Sequence, residues 1–147
     1  MYFWRESIIV TCVLSWFVAQ LIKVITTLIK DKKINFRRFV GSGGMPSSHS
    51  SFVTSLATAI AIDCGMGSPE FAISVVFALI VMYDAAGVRR AAGQQAKILN
   101  KLVEEWENAD FAQTDKRLKE LLGHTPKEVF AGAVLGILIA FLRHFSF

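Results

Sequence analysis

The chain has 147 residues, 53% of them hydrophobic, and a mean hydropathy of +0.46. Ordinary soluble domains are about 45–50% apolar, so this composition argues against a plain water-soluble fold, and a net charge of +4 gives no electrostatic reason to expect nucleic acid. Cys12 and Cys64 lie in separate apolar segments and form no disulfide framework. With three histidines and no CxxC, no metal site is expected. The length fits one domain, residues 1–147.

Four apolar segments follow in chain order. The first covers residues 7–29 and is interrupted by Lys23. It runs past the length of a signal core and lacks a small-x-small cleavage site. The second covers residues 50–66, the third 71–88 and the fourth 129–142, the last extending to 126–147 if its flanks are counted. A spanning helix needs about 20 mostly apolar residues. The first segment meets that length, and the others are short and rich in small residues. Gly132 and Gly136 form a small-xxx-small pair suited to close helix packing. The expected fold is all-α, an integral membrane bundle of about four spanning helices. Four buried helices of a soluble bundle are the alternative.

Thirteen of the sixteen basic residues fall in the connections after the first and third segments. The connection between segments two and three carries none. Basic loops stay in the cytoplasm, so this bias predicts cytoplasmic first and third connections, with both termini on the other side. The third connection is long. Within residues 94–106, Ile98, Leu99, Leu102, Val103 and Trp106 recur at helical spacing, and a second short helix is predicted at 115–122. These read as amphipathic helices lying on the membrane surface or on the bundle.

Antiparallel spans bring one set of polar residues to one membrane face. Lys30 and Arg37 follow the first span, and Ser47, Ser48 and His49 precede the second. Asp84, Arg89 and Arg90 follow the third, and His124 and Glu128 precede the fourth. Cations, hydroxyls and a helix start suit a phosphate group, because helix N-termini present free N–H groups and a positive dipole end. Arginine adds a bidentate fork for phosphate oxygens.

These residues resemble the motifs of the type 2 phosphatidic acid phosphatase (PAP2) superfamily, which includes acid phosphatases and vanadium-dependent haloperoxidases. The likeness is greatest to its short, divergent branch. The family reads K-x6-RP, then PSGH, then SR-x5-H-x3-D. Here Lys30 and Arg37 match the first motif, with Arg38 in place of proline. Pro46-Ser47-Ser48-His49 matches the second, with Ser48 in place of glycine. His124 and Glu128 match the end of the third, with glutamate in place of aspartate. The third motif's arginine is displaced. An insertion at about 91–120 would let Arg89 or Arg90 fill its place.

The resemblance implies a membrane phosphatase acting on a phosphomonoester or pyrophosphate, carried on a lipid. His124 would attack phosphorus and form a phosphohistidine, Glu128 would orient the imidazole, and His49 would protonate the leaving oxygen. Lys30, Arg37, Arg89, Arg90 and the N–H groups near Ser47 and Ser48 would hold the phosphoryl oxygens. It implies no cofactor and no metal. Together with the charge bias, it predicts the plasma membrane of a bacterium with the motif-bearing face cytoplasmic. Membrane lipids are the expected partners, and a homo-oligomer is compatible with the pattern.

Each residue also has a plainer reading. Thr125-x-x-Glu128 is a capping box with Pro126 at the first helical position. Ser47, Ser48 and Ser50 could cap the second helix. The basic cluster at 30–38 is a positive-inside signal in its own right, and His144 reads as an idle interfacial residue. Two rival functions follow. One is an inactive PAP2-fold protein that binds anionic head groups or acts as a scaffold. The other is a small oligomeric transporter, for which Lys23 is the only ionisable residue placed well inside a span.

Overall fold

The computed structural model describes residues 7–31, 44–107 and 123–146. Arg37, Arg38 and the short helix predicted at 115–122 lie outside these residues. Among the described residues there are five helices: α1 (Ile8–Asp31), α2 (Ser48–Cys64), α3 (Pro69–Ala86), α4 (Val88–Glu107) and α5 (Pro126–Ser146). No strand occurs among the described residues.

Local chemistry sets the helix ends. Ser47 caps α2, its Oγ accepting the Ser50 N–H at 3.3 Å. Ser68 caps α3 in the same way through Phe71 N–H at 3.2 Å, with Pro69 at the first position and Glu70 in the first turn. Gly65, at φ +86°, closes α2, a conformation that side-chain-bearing residues rarely adopt.

The sequence predicts an amphipathic helix beginning near residue 94. The structure starts it at Val88, directly after Gly87. Gly87 donates to the Tyr83 carbonyl at 2.8 Å while its own carbonyl accepts from Ala91 at 2.9 Å. One glycine bends the chain, and no proline or turn-former then stops the Arg-Arg-Ala-Ala stretch from continuing as helix.

α2 is the central helix. It packs against α1, α3 and α5; α1 also packs on α5, and α3 touches α5 lightly. Among the described residues, α1 and α3 do not meet. The core is inverted relative to a soluble protein. Five of the eight buried residues of α2 are serine or threonine, while Ile9, Phe17, Ile73, Ile80, Phe130 and Leu142 are exposed. In hydrocarbon, apolar surface has nothing to gain from hiding, and bundles hold together through small residues and interhelical hydrogen bonds.

The contacts follow that rule. Ser15 Oγ and Ser51 Oγ lie 2.5 Å apart between α1 and α2, and Ser51 Oγ also reaches the Ser15 carbonyl. Thr54 donates to the Ala133 carbonyl of α5 at 3.0 Å. A Cβ at Gly132 would collide with the Ser47 carbonyl, and one at Gly136 with Thr54 Oγ1 and the Ser51 carbonyl. The small-xxx-small pair is thus what lets α5 lie against α2. At the far end, Arg143 on α5 ties down the start of α1 through the Ser7 carbonyl and Thr11 Oγ1.

Among the described residues, three segments are long and apolar enough to span a membrane: Ile8–Ile29, Pro69–Val103 and Pro126–Phe145. The second runs across the bend at Gly87. α2 has 17 residues and a serine-rich buried face. It is therefore the polar centre around which the three apolar helices assemble. The fold is an all-α membrane bundle.

Candidate functional site

The C-terminal part of α1, the start of α2, the end of α3 and the start of α5 share one end of the bundle. Backbone bonds fix them to one another. The Ser47 N–H donates to the Glu128 carbonyl at 2.9 Å, and the His124 N–H donates to the Ala85 carbonyl at 2.8 Å. The turn before α2 is thereby tied to α5, and the turn before α5 is tied to α3.

His124 sits at the centre, with a side chain 1% exposed. Its Nδ1 lies 3.2 Å from Glu128 Oε2. The same carboxylate oxygen accepts the Thr125 N–H at 3.0 Å, while Thr125 Oγ1 receives the Glu128 N–H at 3.4 Å. The Glu128 carboxylate thus closes a capping box and at the same time bonds to the imidazole. The carboxylate calls for a proton on Nδ1, which leaves a lone pair on Nε2. Nε2 is buried and makes no hydrogen bond of proper geometry among the described residues. Burial pushes the His124 pKa below its ordinary value. Glu128, through its hydrogen bond and its charge, and the Gly44 backbone oppose that shift, and the Lys23 charge adds to it. The ring is held neutral, the state in which it can act as a nucleophile or base.

His49, in the first turn of α2, faces it. The two ring centroids are 5.9 Å apart in an edge-to-face arrangement. Seventy-five residues of chain separate these histidines, so only the fold brings them together. Ser47 is the helix cap, and Ser48 points to a cation.

That cation is Lys23, a residue that motif spacing did not select for the site. It is 4% exposed, and its Nζ donates to Ser48 Oγ at 3.1 Å. It lies within electrostatic reach of both Glu128 and His124, and its stem runs below Gly44. The signal in the sequence was its position. An ionisable residue inside a spanning helix is costly and implies a partner. Lys30, chosen for its K-x6-R spacing, stands two turns farther along α1. Arg89 and Arg90 open α4, where the Arg90 side chain is exposed. Asp84 lies in the last turn of α3, next to Ala85. Among the described residues no group of three His, Cys, Asp or Glu side chains is placed to hold a metal ion.

A bundle with an inverted polar core and a histidine-centred site at one end is an integral membrane protein of PAP2-like build. The chain belongs to the divergent PAP2 family, which matches residues 4–139. It is 45% identical over 139 residues to the uncharacterized membrane protein YuiD of Bacillus subtilis (strain 168), a match covering 88% of each chain. No solved structure matches it.

Proposed function

We propose that the protein is a membrane phosphohydrolase that cleaves a phosphomonoester or pyrophosphate of a lipid through a phosphohistidine. One observation carries this reading: a buried neutral imidazole, held on Nδ1 by Glu128, lies beside a second histidine and a buried lysine.

Nε2 of His124 would form a bond to phosphorus as the bond from phosphorus to the leaving oxygen breaks. His49, in its protonated form, would give a proton to that oxygen. Glu128 would stabilise the positive charge that the imidazole acquires. Lys23 and the N–H groups at the start of α2 would take up charge on the phosphoryl oxygens. Water, deprotonated by His49, would then attack phosphorus and release phosphate and free His124. Lys30, Arg37, Arg89 and Arg90 remain proposed phosphate ligands that would complete the charge balance. The clustering of basic residues in two connections supports a cytoplasmic site, in the plasma membrane of a bacterium.

The test is phosphate release from lipid phosphates and pyrophosphates by purified protein in detergent, comparing wild type with His124→Ala and His49→Ala. Release that vanishes in folded His124→Ala supports the reading. No release, or release indifferent to both histidines, would overturn it and favour a head-group-binding or scaffold role.

A further inference from the structure

α4 carries three separate faces. At 100° per residue, Val88, Ile98, Leu99, Leu102 and Val103 share an arc of about 140°, and all five are exposed. Gln95 is the one polar residue on that arc. Gly93, Ala96 and Asn100 form a second stripe about 60° wide, and all three are buried. Arg90, Lys97 and Lys101 form a third stripe about 40° wide, set roughly opposite the apolar arc, and all three are exposed. The protein thus covers the side that bears the small residues and leaves the apolar side bare. Among the described elements α4 packs on α3 alone.

Position decides what covers the apolar arc. α3 has 18 residues, about 27 Å at helical rise, close to the roughly 30 Å of a hydrocarbon core. It therefore crosses nearly the full thickness before Gly87. α4 has seven charged residues among its 20, too many for a continuation through hydrocarbon. It starts at the bilayer surface, and at the end that holds the histidine pair, because Ala85, two residues before Gly87, accepts the His124 N–H. One side of α4 lies on protein, one is apolar and bare, and one is basic. Protein, lipid and charged head groups meet along the rim of the bundle at the membrane surface, and that is where all three sides are satisfied. A helix standing out in water would leave the whole arc hydrated, against the hydrophobic effect.

We infer that α4 lies in the plane of the membrane surface as a docking helix for anionic lipid. Its apolar arc sits among the upper acyl chains of the leaflet on the histidine side. Arg90, Lys97 and Lys101 reach the negatively charged head groups on their long stems. α3 supplies the continuity: its exposed Ile73, Val76, Phe77 and Ile80 belong to a spanning helix, and only Gly87 separates that helix from α4. The docking requires no turnover at the histidine pair and holds equally for a hydrolase and for a head-group binder.

The test places a nitroxide on single cysteines of the full-length protein in a Cys64→Ser background, Cys12 being buried, and reconstitutes each in phosphatidylglycerol vesicles. At Ile98→Cys and Leu102→Cys the nitroxide should be relaxed more strongly by oxygen, which concentrates in hydrocarbon, than by a water-soluble nickel chelate. At Arg90→Cys and Lys97→Cys the order should reverse. Replacing phosphatidylglycerol with phosphatidylcholine should raise chelate access at Ile98→Cys and Leu102→Cys at least about twofold, and Lys97→Glu with Lys101→Glu should do the same in phosphatidylglycerol. Chelate access equal at all four positions would put the helix in water. Exclusion of both relaxants at Ile98→Cys and Leu102→Cys would show the arc covered by protein, and spin–spin broadening that disappears on dilution with unlabelled chain would identify that protein as a second copy. Each of these results overturns the membrane docking. Access at Ile98→Cys and Leu102→Cys that ignores head-group charge and the lysine substitutions would overturn the choice of anionic lipid.

Discussion

Oε2 of Glu128 stands 3.2 Å from Nδ1 of His124 and 3.0 Å from the N–H of Thr125, so one oxygen both orients the imidazole and caps α5. The two roles are separable. Glu128→Gln keeps an acceptor for the cap but loses the charge that stabilises an imidazolium. If the site hydrolyses phosphate esters, turnover should fall about 10²- to 10⁴-fold with little change in melting temperature. Thr125→Ala removes the other half of the capping box and leaves the carboxylate in place. It should cost about 1 kcal/mol of stability while most of the rate survives. Melting curves and phosphate release on the two variants check the separation, and equal rate losses in both would count against an orienting role for Glu128.

Lys23 poses the opposite trade. Its ammonium is buried, and among the described residues a hydrogen bond to Ser48 and the charge of Glu128 are a small return for removing a charge from water. A residue kept under those terms is a candidate for function over stability. Lys23→Met, of similar length and no charge, should leave the melting temperature unchanged or raised. Phosphate release should drop about 10²- to 10³-fold, the scale of losing one charge-stabilising donor. A variant that unfolds while its residual folded fraction turns over normally would make Lys23 a structural residue.

Much of this arrangement was legible in the sequence. Apolar segment lengths gave the helical membrane bundle, and alternation of direction put His49 and His124 at one end. The capping box at 125–128 announced the start of α5, and the Gly132–Gly136 pair announced its packing. Two things were hidden. α2 looked like one more span, because hydropathy does not distinguish a helix turned toward lipid from one surrounded by other helices. Its run of hydroxyls, Ser47 to Ser55, was the available clue, since serine in hydrocarbon needs partners. Lys23 was hidden for a different reason. Motif spacing pointed to Lys30, and only the depth at which α2 begins places Lys23, two turns earlier, beside Ser48.

The glycines translate packing into a graded prediction. A methyl group at Gly132 strikes the carbonyl of Ser47, the residue that caps α2 and leads into Ser48 and His49. A methyl at Gly136 strikes Ser51 and Thr54 one turn deeper. Each alanine should destabilise by about 1–3 kcal/mol, the usual cost of overpacking. Gly132→Ala should also displace the α2 start from His124 and reduce turnover more than Gly136→Ala at matched folded fraction. Thermal melting paired with single-turnover rates would separate the two, and equal rate effects would show that the α2 start tolerates the shift.

The histidine at the centre sets the pH response. Burial holds the His124 pKa below its ordinary 6.5, with the Lys23 charge acting in the same direction and Glu128 against it. The native state therefore binds fewer protons at this site than the unfolded chain does. Its stabilising contribution is present above 6.5 and is lost as pH falls through that value toward the lower folded one. The acid limb of kcat/KM that belongs to the nucleophile should lie below pH 6.5. Lys23→Met, which removes a repelling charge, should move that limb upward. A pH–rate profile on the two proteins checks both statements, and an acid limb above 6.5 that ignores Lys23 would assign it to another group.

Orientation can be read from the chain's own thiols. Cys64 closes α2 at the end opposite His49 and is exposed, whereas Cys12 is buried in the bundle at 1% exposure. The two should therefore differ sharply in reactivity toward a membrane-impermeant maleimide. If the basic connections are cytoplasmic, as the charge bias requires, intact spheroplasts should label Cys64. Inverted vesicles should label it only after permeabilisation, and Cys64→Ser should abolish the signal. A cysteine introduced at Arg90, whose side chain is exposed at the start of α4, should show the opposite pattern in a Cys64→Ser background. Labelling of Cys64 from the cytoplasmic side would place the histidine pair on the outer face, and the lipid phosphate would then have to come from the outer leaflet.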